Sequence, residues 1–120
     1  MDIEKTKRYY DSLTADDVCQ CAFCQNYVRQ IKTVYHSLSD HLESIGVDIE
    51  KPFETMPLEP YEGSILYLCV QYVVLGGRED FTGTEVDGVR IDLADSHPYL
   101  EMNEEFFVIE LNEIKLDWKE

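Results

Sequence analysis

Residues 64–75, SILYLCVQYVVL, constrain the fold more than any other stretch of the chain. From Ile65 to Leu75 only Gln71 is strongly polar, and β-branched and aromatic residues occupy both parities. Such a run, closed by Gly76-Gly77, predicts a strand at the centre of a sheet with both faces covered. It is too short to cross a bilayer as a helix. Strict alternation places Ile65, Tyr67, Cys69 and Val73 on one face and Leu66, Leu68, Val70, Tyr72 and Val74 on the other.

One cover for that strand lies upstream. Phe23, Tyr27, Val28, Ile31, Val34, Tyr35, Leu38, Leu42 and Ile45 recur at spacings of three and four, so residues 14–46 read as helical with one apolar stripe. Thr14 and Asp17 have the spacing of a capping box at its start. Ser37 and Asp40 form a second such pair, which predicts a break near His36. Gly46 is the expected stop, with Val47 packing back on Leu42.

Other elements follow from local chemistry. Asp87-Gly88, between Thr84–Val86 and Val89–Leu93, signals a two-residue hairpin. In residues 106–118, Phe107, Ile109 and Leu111 share one parity while Ile114, Leu116 and Trp118 have the other. One extra residue near Asn112–Glu113, a β-bulge or tight turn, would restore a single face. Residues 48–63, with Pro52, Pro57, Pro60 and Gly63, read as an extended crossing loop rather than a domain boundary. The expectation is a single α+β domain over 1–120: an N-terminal helical pair packed on an antiparallel sheet of three to five strands. The second face of that sheet needs a cover. Loop 48–63, through Phe53, Met56, Leu58 and Tyr61, is one candidate and a second copy of the chain is the other.

Charge narrows the function classes. The net charge is −15, with −2 in residues 1–46 and −13 in residues 47–120. Such a surface repels phosphate backbones and anionic membranes, so neither nucleic acid nor a membrane is an expected partner. It favours solubility and would attract a basic protein. The start of the chain is charged and tyrosine-rich, without the apolar core of a signal peptide, so a cytoplasmic location with reduced thiols is expected.

Three of the four cysteines crowd together in Cys19-Gln20-Cys21-Ala22-Phe23-Cys24. Zinc takes four ligands in a tetrahedron, commonly thiolates, and Cys19, Cys21 and Cys24 could supply three. The fourth would be Cys69 or a histidine, although Cys69 lies where a small apolar group suits a strand core. Reduced structural thiols and a redox role are the competing readings of the same cluster. His36 and His41 are five apart, so they diverge round a helix and make a poor metal pair. The acids Glu79, Asp80, Glu85, Asp87, Asp92 and Asp95 lack the regular spacing of a calcium loop and read as a solvated edge. Phosphate-loop, dinucleotide, serine-hydrolase and zinc-protease motifs are all missing.

Cys19–Tyr27 (CQCAFCQNY), followed by Ser44–Glu54 (SIGVDIEKPFE), resembles a group of uncharacterised bacterial proteins. These pair an N-terminal CxCxxC(R/Q)N(Y/F) segment with a later LGID-x-x-KPxE element. Gln25 stands where many members have Arg. The resemblance covers about the first half of the chain. It implies a bacterial source and a cysteine cluster that belongs to a recurring unit, and it carries no activity.

The expected function is therefore a small acidic, non-enzymatic interaction or structural module, with the cysteine cluster holding the helical start against the sheet. One alternative is a thiol or redox enzyme, or a metal-binding protein, using Cys19, Cys21 and Cys24, with structural zinc as the fitting cofactor. Another is an acidic inhibitor of a basic protein. A homodimer and a basic protein are the expected partners.

Overall fold

Three helices precede five strands in the computed structural model, which describes residues Met1–Glu120. They are α1 (Ile3–Ser12), α2 (Ala22–Val34) and α3 (His36–Ser44), then β1 (Glu54–Pro57), β2 (Ser64–Leu75), β3 (Thr84–Val86), β4 (Val89–Leu93) and β5 (Phe106–Asp117). The strands form one antiparallel sheet in the order β1-β2-β5-β4-β3. The α+β architecture is the expected one, with helices N-terminal and packed on the sheet, and β2 lies inside it. No helix is long and apolar enough to cross a membrane.

β2 and β5 pair along their whole length, from Ser64 opposite Asp117 to Leu75 opposite Phe106. The fault expected in β5 is present: Glu113 adopts φ +62°, and the buried set changes from Phe107, Ile109 and Leu111 to Ile114 and Leu116. β2 changes parity at the same level. Ile65 and Tyr67 join the core, as do Val70, Tyr72 and Val74, while Leu68 between them is exposed. This corrects the strict alternation read from the sequence. Cys69, Gln71 and Val73 lie on the face away from α2 and α3, whereas Tyr67 lies on the face toward them. Because both strands carry an extra residue at one level, the register survives and pairing resumes beyond it.

The Asp87-Gly88 hairpin forms as expected, with both residues at positive φ. Gly46 stops α3: the Val47 N–H donates to the Leu42 carbonyl at 3.0 Å. The break between α2 and α3 falls at Tyr35. No Ser37 cap forms there. Instead the Leu38 N–H donates to the Asp87 carboxylate at 2.9 Å, tying α3 to the β3–β4 turn. Thr14 and Asp17 do make their capping box, but on a single 3₁₀ turn over Ala15–Asp17, and α2 starts later.

Two elements were not expected. β1 lies within residues 48–63 and pairs with β2 in the plane of the sheet, so Glu54–Pro57 extend the sheet rather than cover its second face. Ser96 and His97 lie over part of that face. The Gln71 Nε2 donates to the Ser96 carbonyl at 2.8 Å, and the His97 ring lies 6.2 Å from Phe53 and 6.0 Å from Phe106. Gln71 is buried and its Oε1 has no partner. Met56, Leu58, Tyr61 and Leu68 stay exposed at the other end of the sheet.

The second surprise is α1, which serves β2 where β1 runs out. The last backbone bond from the β1 side is Phe53 N–H to the Gln71 carbonyl. Beyond it the Tyr10 hydroxyl donates to the Val73 carbonyl at 2.7 Å, and Thr6 Oγ1 accepts from the Leu75 N–H at 3.0 Å. The Asp2 N–H donates to the Leu75 carbonyl at 2.8 Å. Asp2, Thr6 and Tyr10 are spaced by four, so one stripe of the helix completes the strand edge.

Candidate functional site: the three-thiol cluster

Burial of its apolar stripe sets the pose of α2. Tyr27 and Ile31 are fully buried, and the Tyr27 and Tyr72 hydroxyls lie 2.7 Å apart, with Tyr72 donating onward to the Ile49 carbonyl. Asn26 and Gln30 both donate to the Asp117 carbonyl, anchoring the helix to the end of β5. Its first turn is held separately. The Tyr67 hydroxyl donates to the Phe23 carbonyl, and Phe23 packs on Trp118 with ring centroids 5.4 Å apart. These contacts bring the N-terminus of α2 to the β1–β2 edge.

The cysteines occupy that N-terminus. Cys21 is the cap residue, and its Sγ accepts the Cys24 N–H at 3.5 Å. One step back, the Cys21 N–H donates to Cys19 Sγ, also at 3.5 Å. Sulfur thus takes the place that Ser, Thr, Asp or Asn usually fills. The preceding loop is fastened by amides. Gln20 donates to the Ala15 and Val18 carbonyls, Gln25 donates to the Cys19 carbonyl at 2.9 Å, and Val18 is buried. Cys24 is buried under the cluster, 3.3 Å from Thr55 Oγ1 on β1. Cys24 is thus the cysteine of the cluster that touches β1.

All three Sγ atoms lie within 4.8 Å of one another, with Cys19 and Cys21 exposed. Their acidities differ. Partial desolvation opposes the Cys21 thiolate, but it is outweighed by the Cys24 N–H and by further hydrogen bonds from the Cys19 and Cys24 thiols and from Phe23, which bring Cys21 below the ordinary thiol range. Burial pushes Cys24 up to about 12, and its two sulfur neighbours push the same way.

Cys69 stands apart. It is buried on the opposite face of β2 and belongs to no ligand group with the other three. Burial and the nearby Glu110 and Glu54 carboxylates push its thiol up to about 12. No histidine joins the cluster either. His36 pairs with Asp40 at 3.5 Å on the surface, and His97 sits against Phe53 and Phe106. Three of the hairpin acids have structural partners: Asp80 takes the Met1 amino group at 2.8 Å, Asp87 takes the Leu38 N–H, and Asp92 pairs with Arg90 at 2.6 Å. Thr55, Gln20 and Gln25 were not foreseen as parts of the site. Thr55 has no local signal, because only the β1–β2 pairing brings it to Cys24.

Set against known proteins, the chain matches no family model, no curated protein and no solved structure. What the fold and site define is an α+β domain in which three close cysteines can hold a metal ion.

Proposed function

We propose that the protein is a non-enzymatic binding module of the cytoplasm in which Cys19, Cys21 and Cys24 together hold one zinc ion at the junction of α2 and β1. The single observation that carries this reading is the convergence of the three Sγ atoms to within 4.8 Å. Zinc–thiolate bonds of about 2.3 Å put sulfurs roughly 3.8 Å apart on a tetrahedron. The thiols thus need only a small inward rotation. The donor set is all sulfur, which suits zinc over calcium or magnesium. Backbone N–H groups already aimed at Cys19 and Cys21 sulfurs would stabilise the thiolates that metal binding requires.

Three protein thiolates leave a fourth tetrahedral position facing solvent, open to water or to a donor from a partner. A site of that kind links the module's structural role to an interaction. Zinc stoichiometry with a free-thiol count decides the matter. Purified, reduced protein should take up one zinc per chain and protect three thiols from a thiol reagent. Protein that takes up no zinc and shows four thiols titrating identically with and without it would end this reading.

A further inference from the structure

The same cluster has an internal asymmetry that a metal site does not need. Cys21 is exposed at the N-cap of α2, with an N–H donor on its sulfur. Cys24, one helical turn on, is buried behind it. Cys19 is exposed in the loop before the helix. We infer that Cys21 and Cys24 form a dithiol that exchanges with a small disulfide such as glutathione disulfide, Cys21 as the attacking sulfur and Cys24 as the resolving one.

The roles follow from access and geometry. Attack requires a sulfur that an incoming disulfide can reach in line, and only Cys19 and Cys21 are open to solvent. Both accept a backbone N–H at 3.5 Å, but only Cys21 is itself the cap of the thirteen-residue helix, one turn from Cys24. Resolution requires a second thiol close enough to close a disulfide without moving the backbone. A three-residue step across a first helical turn puts Cα atoms at a separation within the roughly 4.4–6.8 Å that disulfides span. Cys19 lies in the loop before the helix, where no helical turn fixes its distance to either of the other sulfurs. Cys24 is also shielded, so an external disulfide cannot compete with Cys21 for it.

The chemistry balances within these groups. The Cys21 thiolate attacks one sulfur of glutathione disulfide, a mixed disulfide forms on Cys21, and one glutathione thiolate leaves. Cys24 gives its proton to solvent and attacks the Cys21 sulfur, expelling the second glutathione. Two protein thiols are oxidised and one glutathione disulfide is reduced to two thiols. The inference uses the residues of the zinc reading but not its chemistry, and metal-free protein tests it separately.

The experiment treats reduced, chelator-stripped protein with glutathione disulfide and reads products by intact mass and peptide mapping. The expected product has lost two hydrogens and carries a Cys21–Cys24 bond. Cys24→Ser should instead accumulate one glutathione adduct on Cys21, and Cys21→Ser, an exposed change that spares the fold, should give no disulfide to Cys24. A lasting adduct on the unmodified protein, a Cys19–Cys21 bond, or no reaction would each overturn the assignment. Zinc uptake by the reduced protein is measured in parallel, so loss of one result leaves the other standing.

Discussion

The Thr6 hydroxyl accepts the Leu75 N–H at 3.0 Å while donating to the Asp2 carbonyl at 2.7 Å, so one buried side chain closes both the first turn of α1 and the free edge of β2. Thr6→Val keeps the shape and removes both bonds, leaving a buried N–H without a partner. The expected loss is about 1–3 kcal/mol. Chemical denaturation would show a lower midpoint at unchanged slope. Hydrogen exchange should also show Leu75 opening sooner.

Gly46 and Gly88 both have positive φ, but only one is crowded. A Cβ on Gly46 would lie 2.6 Å from the Ile3 carbonyl oxygen and 2.9 Å from the Lys7 nitrogen of α1, whereas nothing lies within 4 Å of one on Gly88. Gly88→Ala should cost about 1 kcal/mol, the conformational penalty alone. Gly46→Ala adds a backbone collision and should cost clearly more, with α1 displaced. Equal losses in thermal denaturation would contradict this packing.

Alkaline pH should unfold the protein through its buried acids. Burial raises Tyr10, Tyr27 and Tyr72, and Cys69 is pushed up to about 12. Their folded pKa values exceed the unfolded ones, so the unfolded chain releases protons first. This stability is fully present below about pH 8.5 for the thiol and about pH 10 for the tyrosines, and it falls as pH rises beyond those points. Each such group steepens the decline by about 1.4 kcal/mol per pH unit while it is ionised only in the unfolded chain. Tyrosinate absorbance should therefore rise late, together with loss of the fold, for these three residues.

Cys69 and the cluster should separate in zinc uptake. Cys69→Ala is expected to leave the zinc stoichiometry unchanged, since its thiol faces away from the other three. Cys24→Ser should abolish stoichiometric uptake by removing one of three thiolates. Loss of zinc from Cys69→Ala alone would make Cys69 a ligand and require the β1–β2 edge to rearrange.

Much of the fold is legible locally. The bounds of β2, the Asp87-Gly88 hairpin, the Gly46 stop and the fault at Glu113 all rest on short-range chemistry: apolar density, positive φ and side-chain parity. The matching shift in β2 was hidden because both of its parities are apolar, so no pattern break marks Leu68. α1 was hidden for the opposite reason. Its buried residues are Thr6 and Tyr10, which form no apolar stripe and act through hydrogen bonds to a strand about seventy residues away.

For the site, the chain by itself determined that three thiols fall within six residues, because spacing along the backbone bounds how far apart they can be. Tertiary structure decided the rest. Packing of Tyr27 and Ile31 and the Tyr67–Phe23 bond place the start of α2 at β1, which buries Cys24 against Thr55 and leaves Cys19 and Cys21 in solvent. The paired shift at Leu68 and Glu113 turns Cys69 to the other face. Exposure and the direction of a strand residue depend on what the chain packs against, and that partner is distant in sequence.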